Sequence, residues 1–167
     1  MDQLDRSVPR EFVMKATYPV PILIADDDRD DCQMIREALL ESRVLNELYF
    51  VGNGEELMDY LLHRGNFSDW EKYPKPGLIL LDLNMPRKDG REALKEIKSH
   101  PSLKSIPVVV LTTSQAEEDV YRSYNLGVNS FVSKPVTFES LVSTMGDLGR
   151  YWLEIVVLPP DRESPDT

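Results

Sequence analysis

Asp26-Asp27, Asp82, Thr112-Thr113 and Lys134 are the residues of this chain whose types and places could do chemistry together. Each lies at the end of a short apolar run, of which Leu78-Ile79-Leu80-Leu81 before Asp82 is the cleanest. An isolated buried carboxylate costs several kcal/mol or stays protonated, so acids in such places must be solvated, paired or bound to metal. Several carboxylates in one cleft repel one another, and a hard divalent cation with oxygen ligands offsets that repulsion. Mg²⁺, which commonly takes one or two carboxylates plus waters and phosphate oxygens, is the implied ion. A lysine adds a compact cation and a threonine a hydroxyl donor, which together suit the oxygens of a phosphoryl group. The set reads as a site built to carry phosphate.

The elements that must position these groups can be read from periodicity. Val20 to Ala25 is an apolar, β-prone segment that opens into Asp26-Asp27-Asp28. Asp30 or Asp31 then caps a helix with Met34, Ile35, Ala38 and Leu39 at helical spacing, ended by Ser42 and Asn46. Leu48 to Gly52 is a second strand, and Glu55 to His63 a second helix that stops at Gly65. Between Gly65 and Gly77 lies an insertion-like loop whose Trp70 and Tyr73 are expected to pack down on the domain. The strand to Asp82 follows, then a helix around Gly90 to His100, a strand from Ile106 to Thr112, a helix from Gln115 to Leu126, the strand Ser130 to Ser133, and a last helix capped by Thr137. Strands alternating with helices in this way imply an α/β domain of three layers, a doubly wound five-stranded parallel sheet of the flavodoxin-like kind. In such a sheet the carboxyl ends of all strands lie on one side, so the reactive residues converge on one cleft.

The bulk composition narrows the function classes. A chain of 167 residues, 41% hydrophobic, fits one core with extensions. Residues 1–19 read as an arm, 20–149 as the domain, and 150–167 as an extension that continues the last helix and then ends in a disordered tail. A formal net charge of -10 argues against a nucleic-acid surface, which would need a clustered basic face. The apolar stretches are shorter than the roughly 20 residues of a membrane span, and the acidic N-terminus lacks a signal-peptide core. A cytoplasmic location is expected. Cys32 alone can form neither an intramolecular disulfide nor a thiolate cluster and reads as a helix packing residue, while His63 and His100 have no zinc-ligand spacing.

Taken singly, an aspartate after a strand is more often a helix cap, and a lysine more often a solvated side chain. As an ordered set the residues resemble the receiver domain of two-component response regulators. The matching segments are Ile22-Leu23-Ile24-Ala25-Asp26-Asp27, Leu80-Leu81-Asp82-Leu83-Asn84-Met85-Pro86 with Asp89-Gly90, Val109-Val110-Leu111-Thr112-Thr113, Gly127-Val128-Asn129-Ser130-Phe131 and Lys134-Pro135. The resemblance, over about Val20 to Gly149, implies that Asp82 is the phosphoacceptor and that Asp27 joins it in binding Mg²⁺. It further implies the Asn84 backbone carbonyl as a third ligand and Asp26 acting through metal-bound water. Thr112 then resembles the switch hydroxyl, Phe131 the aromatic that rotates inward, and Lys134 the cation that pairs with the phosphate, with Lys134-Pro135 expected as a cis peptide. Asn84 and Ser114 flank the route of an attacking water and are expected to tune the lifetime of the acyl phosphate. The resemblance implies a sensor histidine kinase as the donor; His63 and His100 each lie at or near a helix end away from the cleft and are not expected to be the donor site. More narrowly, the loop before the third strand and the tail Tyr151-Trp152-Leu153-Glu154-Ile155-Val156-Val157-Leu158-Pro159 resemble the small cyanobacterial phytochrome response regulators, which implies a phytochrome as that kinase.

With no DNA-binding domain in sight, the output is expected to be a protein contact. Phe138, Leu141, Met145, Leu148, Trp152 and Ile155 alternate by three and four, with Val142, Val156 and Val157 as a second row. These six are candidates for a homodimer contact; the first half of the stripe should also cover the domain's own sheet, and the part from Trp152 to Leu158 is where that contact is expected. Two other functions fit parts of the pattern. An aspartate-nucleophile phosphatase would need a second acid two residues after Asp82, where Asn84 stands. A phosphorylation-independent adaptor would have no use for the complete set of site groups.

Overall fold

A computed structural model describes residues 20–113 and 116–155. In chain order its elements are β1 (Ile22–Ala25), α1 (Arg29–Glu41), β2 (Leu48–Val51), α2 (Gly54–Leu61), a 3₁₀ turn (Gly65–Phe67), β3 (Leu78–Leu81), α3 (Gly90–Ser99), β4 (Val108–Thr112), α4 (Glu117–Asn125), β5 (Ser130–Ser133) and α5 (Phe138–Gly149), which runs on into a π-helical segment, Arg150–Ile155. The five strands form one parallel sheet in the order β2-β1-β3-β4-β5. No helix among the described residues is long and apolar enough to cross a membrane.

Every residue of β1, β3 and β4 is buried, as central parallel strands covered on both faces require. Alternation along them feeds two cores. Leu23, Ala25, Ile79, Leu81, Val108 and Val110 face α2 and α3, where Leu57, Tyr60, Leu94 and Ile97 close over them. Ile22, Ile24, Leu78, Leu80, Val109 and Leu111 face α1 and α5, against Ile35, Leu39, Leu141 and Met145. The expected three layers are thus built by side-chain alternation at every central strand.

The loop before β3 packs down, as expected. Phe67 and Tyr73 meet edge-on and flank Tyr60, whose hydroxyl donates to the Pro74 carbonyl at 2.8 Å. Trp70 stacks on the His63 ring and stays half-exposed.

Three sequence readings are corrected. Helix α1 is capped by Asp28, whose carboxylate accepts the Asp30 and Asp31 N–H groups, so neither of those two is the cap. No cis peptide bond occurs among the described residues, so Lys134-Pro135 is trans. Trp152 is not an unpartnered apolar residue beyond the domain: it is buried, 6% exposed, in the core shared by α1 and α5. Trp152 continues the buried side of α5, in step with Leu141 and Met145, while Tyr151 is 52% exposed. Of the remaining dimer candidates, Leu141 and Met145 are buried in the same core, Leu148 is half-buried against it and Phe138 is exposed. The side chain of Ile155, together with Val156 and Val157, lies outside the described residues.

Candidate functional site

The sheet ladder does not stop where the strands stop. The Asp26 N–H donates to the Val51 carbonyl at 3.0 Å, Asp82 to Ala25 at 2.9 Å, and Lys134 to Thr112 at 2.9 Å. Each site residue is the first one past its strand and is still held by the neighbouring strand, so the register that packs the core also places the chemistry. Gly90 keeps the loop after β3 tight. A methyl group there would collide with the backbone of Asp82 and Leu83.

Within this frame the four strand ends meet. One carboxylate oxygen each of Asp26, Asp27 and Asp82 lies within 4.8 Å of the others. Asp26 and Asp82 are buried and Asp27 is exposed. The Lys134 ammonium donates to Asp82 Oδ2 at 2.8 Å and to Asp26 Oδ2 at 2.7 Å. The fully buried Thr112 hydroxyl donates to Asp82 Oδ1 at 2.8 Å, and the Asn84 N–H donates to the same oxygen at 3.0 Å. The Asn84 side-chain amide reaches the Thr112 hydroxyl at 3.4 Å. Asp82 therefore has one oxygen occupied by two neutral donors and one facing the lysine. Phe131 is half-buried at the edge of the α2–α3 core, its N–H donating to the Tyr124 hydroxyl at 3.3 Å. Ser114 lies outside the described residues.

Electrostatics follows from burial and crowding. Burial pushes the Asp26 carboxyl up from its ordinary 3.8, and the nearby Asp82 adds to the push, against the lysine and the Asp28 N–H. Burial works against the charge of Lys134 as well, but its bonds to Asp26, Asp31 and Asp82 outweigh it and hold the ammonium above its ordinary 10.5. The Cys32 thiol, packed beneath the cluster with its Sγ 3.5 Å from the Asp26 carbonyl, is pushed up to about 11 by burial and by Asp26. Three carboxylates with one cation among them leave a negative, all-oxygen donor set, which is what a hard divalent cation needs.

The raised Asp26 carboxyl sets an expectation for stability in metal-free buffer. A folded-state pKa above the unfolded one means the folded chain binds more protons, so this group's contribution falls as pH rises from about 3.8 through the folded value. Asp26→Asn should gain about 0.5–2 kcal/mol at neutral pH, and the gain should shrink towards acid. Urea melts of both proteins across pH, with a neutral-pH loss as the opposing result, check it.

Two participants escaped the sequence reading. Asp31, in the first turn of α1, is a third carboxylate on Lys134, with Oδ2 2.8 Å from Nζ. Arg91 ties the loop after Asp82 to α4: its guanidinium forms two bonds of 2.6 Å with the Asp119 carboxylate while also reaching both Asp89 oxygens, the Leu83 carbonyl and the Asn84 side chain. The available signal for Arg91 was a cation in the first turn of a helix, where the macrodipole disfavours it unless anions surround it.

Comparison with known proteins agrees with this geometry. Residues 22–145 match the model of the response regulator receiver domain. The response regulator Rcp1 of Synechocystis sp. is 44% identical over 141 residues, a match covering 84% of this chain and 94% of that protein. The crystal structure of the phosphorylated cyanobacterial phytochrome response regulator RcpA superposes with a TM-score of 0.79 at 42% identity, covering 85% of this chain and 99% of that one. A Mn²⁺-bound form of Rcp1 superposes with a TM-score of 0.77 at 44% identity, covering 85% and 100%. With this match over most of its length and its five-stranded parallel sheet, the chain belongs to the response regulator receiver domain family.

Proposed function

We propose that this response regulator takes a phosphoryl group onto Asp82 from a sensor histidine kinase of the phytochrome class, in the cytoplasm, with Mg²⁺ as the resident cation. The observation that carries this reading is the asymmetry of Asp82: Oδ1 accepts from the neutral donors Thr112 and Asn84, while Oδ2 accepts from the Lys134 ammonium, and the carboxylate lies in the cluster with Asp26 and Asp27. Oδ2, on the lysine side, is the oxygen taken to attack.

In the transfer, the bond from Asp82 Oδ2 to phosphorus forms as the phosphorus–nitrogen bond of the donor phosphohistidine breaks. The leaving imidazole keeps the electron pair and takes a proton from solvent. Little covalent work falls to the protein, so its contribution is positioning and charge. Lys134 pairs with the transferred oxygens, and the Thr112 hydroxyl, already at the carboxylate, turns from Oδ1 to a phosphoryl oxygen. Asp27, Asp82 and the Asn84 carbonyl, with Asp26 through water, would hold Mg²⁺, which would offset the charge on those oxygens when bound. The acyl phosphate carries about two negative charges where the Asp82 carboxylate carried one, and it then draws on Thr112 and Phe131, moving the segment after β4 and the face made by α4, β5 and α5.

The phytochrome assignment rests on Rcp1 and RcpA as relatives of similar length. It is tested by mixing the chain with an autophosphorylated bacterial phytochrome and Mg²⁺ and following labelled phosphate. Transfer within seconds to the wild type, with none to Asp82→Asn, is the expected result. Transfer from unrelated histidine kinases at the same rate opposes it. A homodimer, with the exposed Phe138 and the half-buried Leu148 as its contacts on α5, completes the reading. Light scattering that finds a monomer with and without phosphate counts against that part alone.

A further inference from the structure

Lys134 has three ammonium protons, and all three are taken: by Asp26 Oδ2 at 2.7 Å, by Asp82 Oδ2 at 2.8 Å and by Asp31 Oδ2 at 2.8 Å. The first two partners also belong to the acid cluster that a divalent cation would use, and Asp82 is the group that would be esterified. Asp31 stands apart from that cluster. It lies in the first turn of α1, its own N–H anchored on the capping carboxylate of Asp28 at 3.2 Å, and its side chain is 35% exposed against 2% for Asp26. A lysine at the end of a four-carbon stem needs such a tether if it is to stay over the site while its other partners are drawn elsewhere.

We propose that Asp31 is a positioning residue for phosphotransfer, holding the Lys134 ammonium in place when Asp26 and Asp82 turn to the cation and the phosphoryl group. Without Asp31 the lysine settles wholly on Asp26 and Asp82, where it competes with the incoming cation and starts the transfer from the wrong position. The proposal rests on the phosphoacceptor reading for its purpose, but half of its test does not.

That half is Mg²⁺ binding alone, titrated calorimetrically with no phosphodonor present. Asp31→Asn should weaken Mg²⁺ binding about tenfold, the range expected when an outer partner of a metal-site group is removed. Asp31→Glu, which keeps the charge, should recover most of it. In a Lys134→Met background the same Asp31→Asn change should cost less than about twofold, since the lysine it acts through is gone. An equal loss in both backgrounds would mean that Asp31 acts only as a distant charge and overturns the proposal, as does unchanged binding in the wild-type background. Should Lys134→Met fail to fold, the rate with acetyl phosphate at saturating Mg²⁺ decides. In that reaction the bond between phosphorus and the bridging oxygen breaks and acetate leaves with the electron pair. A fall of about tenfold in Asp31→Asn, reversed in Asp31→Glu, supports the tether, and an unchanged rate overturns it. If the wild type itself takes no phosphate, the phosphoacceptor reading fails; if the wild type and Asp31→Asn react alike, only the tether does.

Discussion

Lys134→Met should lose about 3–5 kcal/mol of folding stability in metal-free buffer at neutral pH, because it leaves buried carboxylates without their cation. The lysine side chain is 11% exposed, those of Asp26 and Asp82 are 2% and 7% exposed, and Lys134 is the cation that reaches them all. The loss should have a pH signature. In the wild type the ammonium is held above its ordinary 10.5, so its contribution is complete below that value and disappears only as pH rises through the folded-state value. In the variant Asp26, already raised by burial, loses the lysine that lowers it. Its penalty therefore grows as pH rises above about 3.8, and the difference between the two proteins narrows towards acid. Millimolar Mg²⁺ should restore part of the loss, since a cation that binds only the folded state stabilises it by mass action. Urea melts with Mg²⁺ and with a chelator measure this directly, and a variant as stable as the wild type without Mg²⁺ would show the acids to be well solvated.

Trp152→Ala should cost about as much, about 3–5 kcal/mol, although the residue lies past the end of the matched family region at residue 145. Trp152 is buried with Ile22, Ile24, Leu141 and Met145, so the turns after α5 complete the core on that side of the sheet. Its indole N–H has no partner among the described residues, so the contribution is apolar packing alone. Thermal melts at several protein concentrations separate a core role from a dimer contact for this residue. A core residue lowers the midpoint equally at all concentrations, whereas a dimer contact lowers it in a concentration-dependent way.

The contrast between these two residues explains what could be read from sequence. Asp26, Asp82 and Lys134 were legible because each interrupts an apolar run at a strand end, and parallel strands bring such ends together whatever lies between. Their positions needed no knowledge of side-chain contacts. Trp152 was misplaced because apolar residues spaced by three and four describe a stripe facing the chain's own core as well as a seam facing a second chain. What decides between them is that the stripe reaches the core shared by α1 and α5, a tertiary contact that periodicity does not encode. Asp31 reads from sequence as a possible helix cap because acids crowd the loop after β1. Its link to Lys134 spans 103 residues and exists only once β5 lies beside β4. Arg91 was passed over for the same reason: its partner Asp119 comes from α4, 28 residues away.

The most direct test is to treat the chain with Mg²⁺ and acetyl phosphate, reduce the acyl phosphate with borohydride, and sequence the peptides by mass spectrometry. Hydride converts a phosphorylated aspartate to homoserine and releases phosphate, so the modified residue is marked permanently. Homoserine at Asp82 alone is the expected result, with none in Asp82→Asn. Homoserine at Asp26, Asp27 or Asp31, or at no aspartate under conditions where Mg²⁺ binds, would contradict the assignment of Asp82 as the phosphoacceptor.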